Sequence, residues 1–268
     1  MKNKIKLIMS DIDGTLLNSK HEVTDVTKEA ISKAREQGIL FGIATGRALD
    51  AVTLLTPDWG IDHLVDVYMG YNGAHVIDYP LGVNEHSHMI EGKYFKEIID
   101  HYKDLDVTMC VYVGRTLYSS RQDARSDSLT KNNKFTEEPM DMETLFLEPR
   151  SKLVIACDEE YMDTVIERSK SLNNPAYRCF RSAPTLFEYV HPEVSKSFGI
   201  NKICKLHGFT IDNVLAFGDA GNDYEMIRDC GVGVCMSNGS DDTKSVADYI
   251  TDSNDEDGIA TFINKYLL

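Results

Sequence analysis

The sequence predicts an α/β protein whose parallel-sheet core is divided along the chain by an inserted α+β module. Short apolar runs alternate with amphipathic stretches from Ile5 to Met69, and the same pattern returns from Ser195. The part between them instead mixes pairs of strand-like runs with helices. Alternation of short apolar strands with helices is typical of a parallel sheet that helices cover on both faces.

The first part of the chain begins with a short apolar run at 5–10, which predicts a buried strand. A helix is predicted over 24–37, with Thr24 or Asp25 as its N-cap and Gly38 just beyond its C-terminus. The elements that follow are a strand at 39–45, a helix at 48–55 and a strand at 65–69.

The middle of the chain has the pattern of an α+β module with one open sheet face. Its polar segment at 113–139 is predicted to be loop or short helix. Its regular elements are a helix near 94–102, strands at 107–113 and 152–157, a helix near 161–172, and strands near 177–181 and 186–190.

The last part returns to strand–helix alternation. Its predicted elements are a helix at 197–206, a strand at 213–219, a helix at 222–228, a strand at 232–236, a helix near 243–249 and a helix near 258–266. The simplest organisation is a core formed by 1–80 and 191–268, with 81–190 inserted as a separate module.

Composition narrows the function classes. The chain has 268 residues and a formal net charge of -15, which disfavours binding to nucleic-acid phosphates. An anionic substrate would therefore need cations gathered at its site. No apolar run approaches the ~20 residues that span a bilayer, and Asp11 interrupts the first apolar run too early for a signal peptide. These features predict a cytoplasmic protein that does not bind membranes.

Neither cysteine nor histidine spacing predicts a metal site. The six cysteines form no Cys-x-x-Cys pair and several lie in apolar runs, so buried reduced thiols are expected. His86 and His88 have no matching ligand cluster nearby in the sequence, which favours a loop or strand edge.

Two carboxylates, Asp11 and Asp13, follow the first predicted strand. Sites in open α/β sheets form outside the carboxyl ends of strands. There, one acid can attack an electrophile and bind a metal while the other moves a proton. A calcium loop fits poorly, because Leu16 stands where that loop needs glycine. A turn stabilised by the two acids is the other structural alternative.

Three further groups lie at predicted strand ends or helix starts. Thr45 and Gly46 could hold a phosphate oxygen or only cap a helix. Lys196 starts a helix and by itself would be an ordinary surface lysine. Asp219 and Asp223 follow another strand, where they could bind a ligand or form a strand–turn–helix joint. The four groups together predict one site in the core.

The motifs resemble those of the haloacid dehalogenase superfamily, and within it the Cof-type sugar-phosphatase-like hydrolases. "DIDGTLLNS" resembles the first motif, "ATGR" the second, Lys196 the third and "GDAGND" the fourth. "YNGA", "GVGVCMSNG" and "NDEDGIA" resemble further family signatures. Ser197 and Ala220 depart from the usual pattern without removing a functional side chain. The resemblance implies a Rossmann-like core and, between Asn72 and Lys196, a C2-type cap that selects the substrate.

The resemblance also implies roles for the acids. Asp11 would be the nucleophile that forms an aspartyl-phosphate, and Asp13 would be the acid and base. Mg²⁺ would bind Asp11, the backbone carbonyl of Asp13 and Asp219, with Asp223 bound directly or through water.

The same resemblance implies how the phosphate is held. Arg47 would either reach the substrate or support its loop, and Asn72 is a possible substrate contact. The phosphate-binding groups would be Lys196, Thr45, Asn222 and the backbone N–H groups of Ile12 and Gly46.

The implied activity is Mg²⁺-dependent hydrolysis of small phosphorylated metabolites, with sugar phosphates as the expected class. Flavin and pyridoxal phosphates are further candidate substrates. The alternatives are a hexose phosphomutase of the phosphomannomutase type and a non-enzymatic metabolite sensor. The sequence does not indicate an oligomeric state.

Overall fold

The computed structural model describes residues 4–268. The chain divides into two compact units. The first comprises the residues up to 49 together with 55–85 and 195–268, and the second comprises 50–54 and 86–194. The domain boundaries expected from the sequence stay a prediction, as does the role of the inserted module.

The first part of the chain forms mostly core strands and the helices between them. The α1 helix begins after Thr24, whose hydroxyl accepts the Thr27 N–H at 3.1 Å, and Gly38 beyond its end has a φ of 79°. The elements are β1 (Leu7–Ser10), α1 (Asp25–Glu36), β2 (Leu40–Ala44), α2 (Leu49–Leu55), β3 (Val67–Gly70), β4 (His75–Asp78) and β5 (Val83–His86).

The inserted part contains helices on either side of short strands. Its elements are α3 (Gly92–Tyr102), β6 (Thr108–Val113), β7 (Thr116–Ser119), α4 (Ala124–Asn133), β8 (Thr136–Pro139), α5 (Met142–Leu145), β9 (Lys152–Ala156), α6 (Met162–Ser169), β10 (Arg178–Ala183) and β11 (Leu186–Val190).

The last part completes the first unit. Its elements are α7 (Lys196–His207), β12 (Val214–Gly218), α8 (Tyr224–Asp229), β13 (Val232–Met236), α9 (Asp241–Ser245), β14 (Tyr249–Thr251) and α10 (Gly258–Tyr266).

The core sheet has the strand order β14-β13-β12-β1-β2-β3-β4-β5. Pairing is parallel from β14 to β3, and β3 pairs with β4 in the antiparallel sense. Ser10 at the end of β1 lies opposite Phe217 of β12 and Ile43 of β2, so these three strands end at the same edge. The chain order reverses between β12 and β1, and this is where ligands bind in open α/β sheets.

The second unit has its own sheet, in the order β10-β11-β9-β6-β7-β8. Its strands are antiparallel except for the parallel pair β7–β8. One face carries the main apolar cluster, which includes Phe95, Leu153 and Tyr189. The other face is partly covered by α4, whose Leu129 packs with Leu117, so this face is less open than the sequence predicted.

The α/β fold class is confirmed, but two local predictions were wrong. The helix predicted near 243–249 ends at Ser245, and Tyr249–Thr251 instead forms an edge strand that pairs with β13. The polar segment at 113–139 contains β7, α4 and β8 rather than only loop or short helix. In both places the elements are short, so pairing with neighbouring strands outweighs the weak local pattern.

Two composition-based expectations can be compared with the described chain. Among residues 4–268, no helix is both long and apolar enough to cross a membrane. All six cysteines are free thiols; Cys179 is partly exposed and the others are buried. The expected buried, unpaired state is therefore confirmed for the others.

Candidate functional site

The predicted site residues of the core lie at the edge where its parallel strands end. Asp11 directly follows β1, Thr45 follows β2 and Asp219 follows β12, and these strands are neighbours in the sheet. Lys196 is the first residue of α7, which Ser195 caps by accepting the Phe198 N–H at 3.1 Å. The fold thus brings together residues that are far apart in the sequence.

Lys196 is fully buried and bridges two acids. Its Nζ atom lies 2.5 Å from Oδ1 of Asp11 and 2.5 Å from Oδ1 of Asp223. The three residues are 0%, 6% and 0% exposed in that order. Removal of such charges from water is costly unless they are paired and hydrogen-bonded, so these contacts fix the lysine in place. The reading of Lys196 as an ordinary surface residue is therefore excluded.

Asp223 also shapes the turn that follows β12. Its Oδ2 atom accepts the backbone N–H groups of Asp219 at 2.9 Å and Ala220 at 3.0 Å. Its other oxygen contacts Lys196. Gly218 is needed beside it, because a Cβ there would lie 2.6 Å from the Asp223 Cβ. The sequence allowed either a strand–turn–helix joint or a ligand site here. The two are compatible, because the side chain of Asp223 both organises the turn and contributes negative charge.

Asp219 is held by the turn that follows β1. Its Oδ1 atom accepts a hydrogen bond from the Thr15 hydroxyl at 2.6 Å. Gly14 has a φ of 81°, and a Cβ there would lie 2.6 Å from Oδ2 of Asp219. Glycine is therefore required at position 14 by both backbone conformation and space. The contact from Thr15 was not predicted, because its partner is distant in the sequence.

Three carboxylates converge at this edge. Asp11, Asp219 and Asp223 each offer an oxygen, and these atoms lie within 4.8 Å of one another. Lys196 supplies one positive charge against the three acids. Carboxylate oxygens are hard ligands, so this donor set fits Mg²⁺ better than a metal that prefers nitrogen or sulfur.

Burial and mutual repulsion disturb the titration of these groups. Burial raises the pKa of Asp11 well above its usual value; Lys196 opposes the rise, whereas Asp223 and Asp219 add to it. Burial and the charge of Asp223 raise the pKa of Asp219 to about 6. Burial would lower the pKa of Lys196, but Asp11 and Asp223 hold it above its ordinary value. Burial and the neighbouring acids therefore disfavour the ionised forms of Asp11 and Asp219 in the metal-free site.

The raised pKa of Asp219 predicts a pH-dependent stability in EDTA. The Asp219 pKa is 3.8 ordinarily and about 6 when folded, so the folded state binds more protons between these values. Stability from this group is full below pH ~4 and is lost as the pH rises through about 6, a change of about 3 kcal/mol. When the pH is raised from 5 to 7.5, the unfolding free energy of the wild type should therefore fall relative to that of Asp219→Asn.

Urea titrations in EDTA at both pH values measure this difference. Mg²⁺ should stabilise the wild type more at pH 7.5 than at pH 5, and stabilise Asp219→Asn less at either pH. A constant difference between the two proteins in EDTA across this range would contradict the raised pKa of Asp219.

The carboxylate of Asp13 does not lie with the other three among the metal-compatible groups. Arg47 instead binds it through two contacts, Nε to Oδ2 at 2.9 Å and Nη2 to Oδ1 at 2.7 Å. The Asp13 side chain is 50% exposed and that of Arg47 is 23% exposed. The two side chains therefore form a bidentate pair that is open to solvent on the Asp13 side.

The Thr45 turn is joined to the residues at 72 and 222. The Thr45 hydroxyl accepts the Arg47 N–H at 3.1 Å, and its carbonyl accepts the Asn72 N–H at 2.9 Å. Asn222 donates its side-chain N–H to the side-chain oxygen of Asn72 at 3.3 Å. A Cβ at Gly46 would lie 3.2 Å from that same oxygen. These residues therefore form one packed group in the first unit.

Ile12 lies between the two acids Asp11 and Asp13 and begins the turn that follows β1. Ile12 is fully buried, and its carbonyl accepts the N–H groups of Leu16 at 3.1 Å and Leu17 at 2.9 Å. The buried side chain anchors the end of β1 in the core. This fixes the direction in which the chain turns between the two acids.

Residues that the sequence did not predict hold the backbone of the site through hydrogen bonds to its carbonyl groups. Asn238 donates to the Gly14 carbonyl at 2.8 Å, and the Ser240 N–H donates to the Asp219 carbonyl at 2.8 Å. Asn254 donates to the Leu17 carbonyl at 2.8 Å. The sequence signal that could have identified two of them is the pair of C-terminal family signatures, which contain Asn238 and Asn254.

Comparisons with known proteins find similarity to hydrolases and phosphatases. A family profile described as haloacid dehalogenase-like hydrolase matches residues 8–263. The chain is 30% identical to the 5-amino-6-(5-phospho-D-ribitylamino)uracil phosphatase YcsE of Bacillus subtilis, covering 98% of this chain and 96% of that protein. It is 28% identical to phosphatase YwpJ of the same organism, covering 98% and 100%.

The fold was also compared with solved structures. A crystal structure of a haloacid dehalogenase-like hydrolase from Bacteroides thetaiotaomicron superposes with a TM-score of 0.86 at 28% identity. The match covers 98% of this chain and 99% of that one. The resemblance therefore extends over both compact units and the motifs of the core.

Proposed function

The chain belongs to the haloacid dehalogenase-like hydrolase family, as a Cof-type phosphoric monoester hydrolase, and from this premise we propose that it is a Mg²⁺-dependent phosphatase of small phosphorylated metabolites. Reaction would pass through an aspartyl-phosphate on Asp11. One observation carries the proposal: Asp11 and Asp219 end adjacent parallel strands, and the buried Lys196 joins Asp11 to Asp223.

The donor set supports a magnesium site. Asp11 and Asp219 would bind the ion through carboxylate oxygens, and Asp13 through its backbone carbonyl. Asp223 already uses both oxygens for hydrogen bonds, which favours a role in orientation and charge balance over direct binding. Bound Mg²⁺ would offset the repulsion between a carboxylate and a phosphate dianion, which is about 4 kcal/mol per unit charge pair at 4 Å and an effective dielectric near 20.

Asp11 is placed to act as the nucleophile. Its carboxylate would form a bond to phosphorus as the bond to the leaving oxygen breaks. Lys196 holds Oδ1 of Asp11 and so fixes which way the carboxylate faces. Because Lys196 stays protonated, it also adds positive charge where the phosphoryl group would sit.

Asp13 is proposed as the proton carrier. Protonated, it would give its proton to the leaving alkoxide; ionised, it would take a proton from the water that cleaves the aspartyl-phosphate. Arg47 holds this carboxylate in the structure, so Asp13 must exchange partners before it can meet a leaving group. We assign Arg47 a positioning role at Asp13 and, once released, a contact to the substrate phosphate.

The remaining phosphate contacts would come from the joined turns at 45–46 and 222 and from the backbone at position 12. The Thr45 hydroxyl, the N–H groups of Gly46 and Ile12, and the Asn222 amide are the donors of this set. Asn72 orients Asn222 and is also a possible substrate contact. Donors held this firmly stabilise the transferring group without reorganising during the reaction.

The substrate class rests on the relatives and on the inserted module. YcsE is named for a ribityl phosphate, which is a phosphorylated sugar-alcohol chain on a pyrimidine. Sugar phosphates and related polyol phosphates are therefore the proposed class. We propose that the module at 81–190 acts as the cap that selects among them.

An activity screen tests the proposal. The protein is assayed for phosphate release over a panel of hexose, pentose, polyol, flavin and pyridoxal phosphates, each with Mg²⁺ and with EDTA. We expect turnover of sugar or polyol phosphates that requires Mg²⁺ and a much lower rate in EDTA. Lack of turnover of every ester, or equal rates in EDTA, would overturn the proposal.

A further inference from the structure

A second group of metal-ligand side chains lies in the second unit. His88, His191 and Glu193 each offer one ring nitrogen or carboxylate oxygen, and these atoms lie within 4.8 Å of one another. His88 follows β5, whereas His191 and Glu193 follow β11, so two distant chain segments meet here. The sequence pointed only to the pair at 86 and 88, because the other members of the group are far along the chain.

The three residues already contact one another. His88 Nε2 lies 2.9 Å from Oε2 of Glu193. The His88 and His191 rings meet edge to face, with centroids 4.9 Å apart. Nδ1 of His191 accepts the Glu193 N–H at 3.3 Å, so this ring is neutral there and the bond is at the long end of the usual range. Neutral imidazole is the form that binds a metal ion, and little is lost if the weak bond is exchanged.

The backbone holds both segments in position. Ile90 and Arg150 exchange two backbone hydrogen bonds of 2.8 and 3.0 Å, which anchor the segment that carries His88. The guanidinium of Arg178 donates to the Val194 carbonyl at 2.5 Å, beside the second segment. His88 has a φ of 54°, a conformation that costs a non-glycine residue free energy and is retained at sites where the surroundings impose it.

We propose that His88, His191 and Glu193 form a binding site for a borderline divalent cation, of which Zn²⁺ is the best fit. Two imidazoles and one carboxylate are a zinc ligand set that leaves a fourth position for water. Zinc bonds of about 2.0–2.1 Å place ligand atoms about 3.3 Å apart, so the side chains need only turn inward. Glu193 is 69% exposed and His88 29%, so an ion can enter from solvent.

This site differs in chemistry from the acidic cluster at Asp11. Nitrogen ligands favour zinc over magnesium, whereas the carboxylates of the first unit favour magnesium. Each ion therefore has its own site, and the zinc site does not depend on the proposed reaction. A bound ion would cross-link the segment after β5 to the segment after β11 and stabilise the second unit.

Zinc titration of the full chain tests the proposal. The metal-stripped protein in saturating Mg²⁺ is titrated with Zn²⁺ in competition with a chromophoric chelator. We expect His88→Gln and His191→Gln each to weaken binding at least tenfold, while His86→Gln, a nearby histidine outside the group, leaves it unchanged. Zn²⁺ should raise the melting temperature of the wild type and not that of His191→Gln.

Co²⁺ provides an independent readout, because a low-symmetry nitrogen–oxygen site gives visible absorption that should disappear in His191→Gln. If that variant fails to fold, the exposed Glu193→Gln decides the question by the same measurements. Equal affinity in the wild type and the His88→Gln, His191→Gln double variant would overturn the proposal. So would binding that is lost in Asp219→Asn and kept in His191→Gln, because the ion would then occupy the acidic cluster.

Discussion

Replacement of Asp11 by asparagine should abolish phosphatase activity and leave the fold intact. Asparagine keeps the size of the side chain and an oxygen that can face Lys196, but it cannot form the aspartyl-phosphate. Loss of a nucleophile typically lowers turnover by several orders of magnitude, so we expect a fall of at least about a thousandfold. Hydrolysis of p-nitrophenyl phosphate in Mg²⁺ measures the loss, and circular dichroism with thermal unfolding measures the fold.

The matched control is Asp25→Asn, the same change at a carboxylate whose side chain is 99% exposed. It should leave turnover unchanged. A second variant, Asp13→Asn, separates the two acids, because it should lower the rate most for leaving groups of high pKa. Normal turnover by Asp11→Asn would disprove the nucleophile assignment, and equal losses across leaving groups would disprove a leaving-group acid at Asp13.

The stability of Asp11→Asn should also be informative. Burial disfavours the ionised carboxylate at this position, and the neighbouring acids add to that penalty. A neutral amide avoids this cost in the metal-free protein, while Lys196 keeps its contact with Asp223. Retained or increased stability together with lost activity would be the result expected of a catalytic group.

The core was predictable because its signals are local and agree with one another. The first strand ends in two acids, and the helix after Thr24 has both a cap and a terminating glycine at Gly38. Such consistent local choices are what specify a fold. The motif order then indicated which strand ends carry the candidate site residues, and parallel pairing of β1 with β12 placed Asp11 beside Asp219.

The details that could not be predicted depend on contacts between distant segments. Nothing near Thr15 indicates that its hydroxyl binds Asp219, and nothing near Arg47 indicates that it binds Asp13. The edge strand at 249–251 exists because β13 offers a partner, not because of a strong local pattern. The contact of His88 with Glu193 could not be predicted either, because the two residues are far apart in the sequence.

The structure also explains why the site tolerates its departures from the family pattern. Ser197 donates its hydroxyl to Asp229 at 2.7 Å, which ties the start of α7 to the end of α8. Ala220 contributes only its backbone, donating to Asp223 and accepting from Thr243 at 2.9 Å. Neither departure disturbs the contacts that hold Lys196 or Asp219.

Lys196→Met should be the most damaging single change to the site, because it removes the lysine that contacts two buried acids. Asp11 and Asp223 would be left as uncompensated charges, and loss of one partner from a buried pair typically costs about 3–5 kcal/mol. The loss should be largest in EDTA at pH 7.5. It should shrink at pH 5, because without the lysine the pKa of Asp11 rises further and the folded state gains stability as the acid is protonated. Urea unfolding at both pH values measures this.

Turnover in Mg²⁺ should fall by at least about a hundredfold, since the variant loses both a charge at the transferring group and the orientation of Asp11. The control is Lys33→Met, which removes a lysine that pairs with Glu29 at 2.7 Å but is 49% exposed; it should change neither stability nor turnover appreciably. If Lys196→Met matched this control in EDTA at pH 7.5, the buried lysine could not be balancing two ionised acids. Saturating Mg²⁺ should restore much of the stability of Lys196→Met but not its turnover. The ion can replace the positive charge of the lysine, but not the hydrogen bond that orients Asp11.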